Sequence, residues 1–261
     1  MNWSSGLLGF GAGLVISVVT APAGVSGAVF LLPVQISVLG VPSPAVTPTN
    51  LLYNVVAGPG ALLRHARAGR LGGPLTRLLL AGTVPGVVVG AVVRVFAIPG
   101  PTVFRLLIAA FLLPLGLWLC ARTLRPAAGE RPVRGLSARA TGGLALVVGT
   151  VGGIYGIGGG SLLGPILAGR GVPVAEVAPA ALTSTFVTSV VGAGTYALLS
   201  LAAEGPIAPD WALGIACGLG GLLGGYLGAH VQPRLPETFL RLLLGTLATA
   251  VGALYAVQVL G

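Results

Sequence analysis

Gly152 to Pro165 reads GGIYGIGGGSLLGP, a glycine-dense break in a chain otherwise built of long apolar runs. Glycines stand at 152, 153, 156, 158, 159 and 160, and each costs a helix about 1 kcal/mol relative to alanine. The spacing predicts that one helix ends here and another begins near Gly160. Inside a bilayer, freed backbone is tolerated only where protein buries it or where it lines a wet cavity. The new helix start carries unpaired N–H groups and the positive end of the helix dipole, which attract an anion without any charged side chain. Ser161 adds a hydroxyl in the first turn. Ala21 to Pro33 (APAGVSGAVFLLP) is a weaker copy, in which Ser26 and Gly27 open the run ending at Pro33.

The mean hydropathy of +1.00 and the 7% of charged residues exclude an ordinary soluble domain, which carries about 25% charged residues. The apolar runs lack alternation and are long enough for helices, of which about 20 residues span the hydrocarbon. The fold class is therefore an all-α polytopic membrane protein lying in a lipid bilayer. The net charge of +9 does not point to nucleic acid, because the basic residues sit at run ends, as topology signals do. Cys120 and Cys217 lie inside apolar runs and no Cys/His cluster exists, so no disulfide, metal or cofactor is expected. The first run follows MNWSSG without a basic n-region and reads as a retained segment.

The runs are 6–20, 25–40, 44–63, 75–96 and 102–121, then a polar stretch, then 138–155, 160–169, 174–200, 211–231 and 238–259. This divides the chain into a first transmembrane repeat (1–125), a cytoplasmic linker (126–136) and a second repeat (137–261). Gly24, Gly27 and Pro33 recur 132 positions later as Gly156, Gly159 and Pro165. Thr49, Gly58, Gly60, Gly86 and Gly90 recur 134 positions later as Thr183, Gly192, Gly194, Gly220 and Gly224, and Arg105 recurs as Arg241. Ordered blocks at near-constant spacing mark an internal duplication.

Arginines set the orientation. RHARAGR (Arg64 to Arg70) with Arg77, and the linker with Arg122, Arg125, Arg131, Arg134 and Arg139, mark cytoplasmic loops. The second-half counterpart of the first loop, Ala202 to Asp210, has two acids and no base and is expected outside. Corresponding loops on opposite faces make an inverted-topology repeat of about five apolar segments per half, with both termini outside. The short runs 25–40 and 160–169 either cross or pair with the preceding run as re-entrant hairpins; parity is the same either way.

Polar residues inside the third run of each half form the other constellation. Half one has Thr47, Thr49, Asn50 and Asn54; half two has Thr183, Ser184, Thr185, Thr188 and Ser189. Hydroxyls satisfy themselves on the preceding turn of their own helix more cheaply than amides do. The predicted substrate-binding set is Ser26, Gly27, Thr49, Asn50, Asn54, Gly158, Gly159, Gly160, Ser161, Thr183, Ser184 and Thr188. Two glycine series spaced by four, Gly82, Gly86, Gly90 and Gly220, Gly224, Gly228, are expected to serve close helix packing. The acids Glu130, Glu176, Glu204, Asp210 and Glu237 all lie at or near loops, so a cation site or carboxylate proton relay lacks its parts. A neutral or anionic cargo is left, and any coupled proton would travel with it. Arg94 and Arg170 stand at run ends and are expected to snorkel; His65 and His230, also terminal, are expected to be structural.

GIGGGSLLGPIL followed by PAALTSTFVTSVVGAG, with the degenerate copy GVSGAVFLLPV followed by TPTNLLYNVVAG, resembles the sulfite exporter TauE/SafE family (the TSUP transporters) over essentially the whole chain. Half one departs from the glycine-rich form at Val25, Ser26 and Ala28. The resemblance implies transport of a small sulfur oxyanion or organosulfonate, such as sulfite or sulfoacetate, across a bacterial inner membrane. The leading reading is a secondary transporter working by alternating access between the repeats. A passive anion channel on the same scaffold is the alternative. An intramembrane hydrolase using Ser161 would need a base within about 3 Å, and the two histidines lie at helix ends. Oligomeric state is not legible.

Overall fold

The computed structural model describes residues 3–67, 69, 71–97, 101–124, 137–202, 205 and 207–260. The linker expected over 126–136 lies outside the described residues. Each apolar run becomes one helix: α1 (Trp3–Thr20), α2 (Ala28–Ser37), α3 (Ser43–Arg67), α4 (Pro74–Phe96), α5 (Pro101–Leu124), α6 (Ala138–Tyr155), α7 (Gly160–Gly169), α8 (Val174–Leu199), α9 (Trp211–Val231) and α10 (Glu237–Leu260). Five stretches, 3–23, 74–96, 174–199, 211–234 and 237–259, are long and apolar enough to cross a membrane. No strand occurs among the described residues.

Local chemistry sets the helix ends. Ser137 accepts from Ala140 N at the start of α6, and Asp210 accepts from Leu213 N at the start of α9, each meeting a donor the first turn leaves open. Gly156 closes α6 in the left-handed region at φ 70° and Gly158 follows at φ 73°. Two such residues within three positions turn the chain back on itself: Gly152 packs on Gly158, and Gly149 lies within reach of Gly159. α7 then starts at Gly160, as the break predicts. In half one, α1 gives way to a 3-10 turn, Ala21–Ala23, and α2 starts at Ala28.

The glycine series make the tightest helix pairs. Gly82, Gly86 and Gly90 of α4 meet Ala145, Leu146 and Thr150 of α6 in that order, and Gly220, Gly224 and Gly228 of α9 meet Phe10, Leu14 and Val18 of α1. Both pairs are parallel, and the missing Cβ atoms let backbone lie on backbone. Gly214, Gly218, Gly221 and Gly225 pack in turn on Leu52, Val56, Ala57 and Ala61, so α3 also runs parallel to α1 and α9. α8 opposes α3, with Gly58 on Phe186 and Gly192 on Leu51. α5 and α10 are antiparallel and reciprocal, Gly116 on Thr249 and Gly252 on Leu113.

Those contacts give a register between the two expected halves. Phe10 and Leu146 face equivalent glycines, as do Leu14 and Thr150, which puts the first helices 136 positions apart. The glycine turns stand 132 apart, and the 3-10 turn of half one takes up the difference.

Candidate functional site

α2 and α7 are each 10 residues long, about 15 Å at helical rise and so half a hydrocarbon thickness. Each starts beside the middle of a long polar-lined helix, α3 or α8. In half one, Ser26 donates to Asn54 Oδ1 and accepts from Ala28 N at 3.1 Å. Asn50 Nδ2 donates to Ala28 O at 2.9 Å. In half two, Gly159 N donates to Thr188 Oγ1 at 3.0 Å, and Ser161 Oγ lies 3.3 Å from Thr185 Oγ1. Asn54 and Thr188 are repeat partners 134 apart, so each half uses the same position of its long helix to hold the start of its short one.

A cavity of about 30 Å³ lies beside the half-one start, bounded across from it by Leu182, Thr185 and Phe186 of α8, room for about two water molecules. Ser26, Gly27, Tyr53, Asn54 and Thr185 line its inner end. Ser17, Ala57, Ala61, Gly221 and Gly225 carry it along α3 toward the end that bears Arg64 and Arg67. Asn54 is 2% exposed, and its Nδ2 has no hydrogen-bond partner. The order of bonds explains the orientation: Ala28 N–H donates to Ser26, Ser26 donates to Asn54 Oδ1, and the amide's donor side is left over. Tyr53 and Ser17 hydroxyls pair at 2.5 Å across the cavity wall.

Of the predicted residues, Ser26, Gly27 and Asn54 line this cavity. Ser161 adjoins it through Thr185, donating to Ile157 O at 2.6 Å. Gly158, Gly159 and Gly160 are buried against α8 and Thr83. Ser184 pairs with Thr83 at 2.9 Å, and Thr188 donates to Ser184 O at 2.6 Å. Thr183 donates to Pro179 O, and Thr49 donates to Ala45 O while accepting from Asp210 N; neither lines the cavity.

Thr185, Tyr53 and Ser17 line the cavity and are absent from the predicted set. Thr185 stands in the polar run of α8, but its repeat partner is Leu51, so the duplication hides it. Tyr53 and Ser17 carry no periodic signal.

The snorkelling expected of Arg94 is corrected. Its residue is 2% exposed, and its guanidinium donates to both the carbonyl and the hydroxyl oxygen of Ser43 at 2.8 Å. The end of α4 is roofed by the buried cluster of Leu51, Ala91, Tyr196 and Ile207, which keeps the side chain from water. Arg170 is exposed. His65 is buried and His230 exposed, its ring beside Tyr226.

A family model described as Sulfite exporter TauE/SafE matches residues 8–255. No curated protein and no solved structure matches the chain.

Proposed function

We propose that this chain, which belongs to the sulfite exporter TauE/SafE family, exports a small sulfur-containing anion such as sulfite or an organosulfonate by alternating access between its two halves. The observation that carries the reading is the cavity beside Asn54. It is small, it is lined by hydroxyls, and it presents an unpartnered amide donor at its inner end. Such a site favours an acceptor-rich solute of few atoms. Ser161 has a carbonyl and a hydroxyl as neighbours, neither of them a base that would make it a nucleophile.

The helix directions support an inverted repeat. α1 and α3 run one way; their counterparts α6 and α8 run the other, and α4 opposes α9 in the same sense. With Arg64 and Arg67 on the cytoplasmic side, both termini lie outside and the cavity faces the cytoplasm. Access from one side favours a carrier over a pore.

Proteoliposome flux of sulfite, sulfate and a permanently ionised sulfonate tests the reading, with saturation and trans-stimulated exchange expected. Linear, unsaturable flux would assign a channel. A thermal-shift series with the same anions gives binding independently: a ligand at 100 times its Kd adds about 2.7 kcal/mol.

A further inference from the structure

We infer that Arg94, latched to Ser43 in this structure, is the anion-binding residue of the outer route and that the cluster around it is the outer gate. This rests on the transporter reading and on the orientation proposed above.

A two-fold relation between the halves gives every cavity wall a counterpart. Tyr53, Ala57, Ala61, Gly221 and Gly225 correspond to Val187, Val191, Thr195, Val87 and Ala91. Along this second route the small residues of the first have been enlarged: Gly221 becomes Val87, Gly225 becomes Ala91, and Ala57 becomes Val191. The space is filled, with Val87, Ala91 and Leu51 fully buried and Gly192 pressed on Leu51 and Val87. At its mouth Tyr196, 1% exposed, donates to Gly153 O at 2.9 Å, where the first route has Leu62. Ile207 of the α8–α9 connection completes the plug, and Asp210 N holds that connection to Thr49.

Two features make this plug a gate. Its fastenings are hydrogen bonds: Thr47 to Ile154 O joins α3 of one half to α6 of the other, Arg94 to Ser43 ties α3 to α4, which itself packs on α6 and α8, and Tyr196 to Gly153 braces α8 on α6. Its one cation among the described residues, Arg94, is also placed to matter once the plug parts. Arg94 has Ser43 oxygens as acceptors now; an oxyanion offers the guanidinium better ones, with charge and bidentate geometry. Exchange of Ser43 for the anion would then couple opening of the gate to arrival of solute.

The test uses the full chain in proteoliposomes of known orientation. Val191→Cys, in a Cys120→Ala, Cys217→Ala background, is timed for modification by a membrane-impermeant thiol reagent from outside. Ser43→Ala is expected to speed modification about tenfold, the loss of one charged hydrogen bond, and Arg94→Gln, which removes the guanidinium from both Ser43 oxygens, by at least as much. In counterflow with sulfite, Arg94→Gln should raise the KM on the outer side about tenfold while the cytoplasmic-side KM stays within about twofold. Ser43→Ala should leave the outer KM nearly unchanged, and Arg94→Lys, which keeps the charge but not the fork, should raise it less than Arg94→Gln does. Unaltered modification rates overturn the gate, and an unaltered outer KM in Arg94→Gln overturns the binding role. Should Arg94→Gln fail to insert, Arg94→Lys combined with Ser43→Ala carries the modification readout. Modification requires no transport, so a gate that opens in a chain moving no sulfite counts against the proposed cargo and not against the gate.

Discussion

Replacing Asn54 separates a donor lining the cavity from a residue that merely packs. In the wild-type chain Ser26 occupies Oδ1 and leaves Nδ2 as a buried donor on the cavity wall, the residue being 2% exposed. A hydrogen bond to a charged group is worth about 1.5–3 kcal/mol, which is about 10- to 150-fold in affinity. Asn54→Ala should weaken anion binding within that range. Asn54→Asp keeps the shape and keeps the acceptor for Ser26, but turns the remaining donor into an anionic oxygen facing the cargo. It should therefore bind worse than Asn54→Ala. Ser26→Ala frees the amide to rotate and costs less, and the double variant should match Asn54→Ala alone, because the serine acts through the amide. Calorimetric titration of sulfite into detergent-solubilised protein reads all four. Affinity within twofold of wild type for Asn54→Ala, or tighter binding by Asn54→Asp than by Asn54→Ala, would refute the donor assignment.

A Cβ on Gly160 would collide with the Ala181 carbonyl oxygen, so Gly160→Ala should prise α7 from α8 and cost about 1–3 kcal/mol in thermal unfolding. Gly143, whose Cβ would meet nothing within 4 Å, is the control: alanine there should be neutral or stabilising by up to about 1 kcal/mol. Thr185→Val, which cuts the link to Ser161 without changing shape, should weaken anion binding with little change in melting temperature, read in the same titration. Tags on the two termini should both be reached by a protease added to spheroplasts; protection of either contradicts the orientation.

The helices were legible because a bilayer leaves the backbone no choice: apolar runs without alternation must satisfy their own hydrogen bonds. Runs 160–169 and 211–231 coincide with α7 and α9, and the GIGGGS break falls where α6 ends and α7 starts. The site was less legible. A glycine run says that a helix breaks, not which way the freed groups face; here Gly159 N is spent on Thr188 and Gly160 is sealed by Ala181. The polar space went to the degenerate half, where Ser26 replaces a glycine and Gly221 and Gly225 stand opposite Tyr53, Ala57 and Ala61. That asymmetry depends on residue sizes across helices distant in sequence. Arg94 deceived for a related reason: a run end lies at the lipid boundary only if nothing folds over it, and the 207–210 connection does.

The pairing of the two breaks explains how a helix can stop inside the bilayer at all. A single half-helix stopping at mid-depth would leave its first amide groups in hydrocarbon, at a cost of several kcal/mol each. A second copy supplies its neighbours: Gly24 and Val25 at the start of one turn lie against Gly164 of the other copy's short helix, and Gly24 packs on Ala178. Thr185 belongs to half two yet lines the cavity of half one, so neither copy closes the site alone. On the proposed alternating access, a shift of either copy against the other would expose the site to a different face, and the side-chain volumes along the two routes would decide which face is open at rest. In this chain Gly221 and Gly225 hollow one route while Val87, Ala91 and Tyr196 fill the other. Enlarging Gly225 to alanine, whose Cβ would meet Ala61 only at ordinary contact distance, and trimming Val87 to glycine would then be expected to shift the resting state toward the other face, with outside modification of Val191→Cys as its measure.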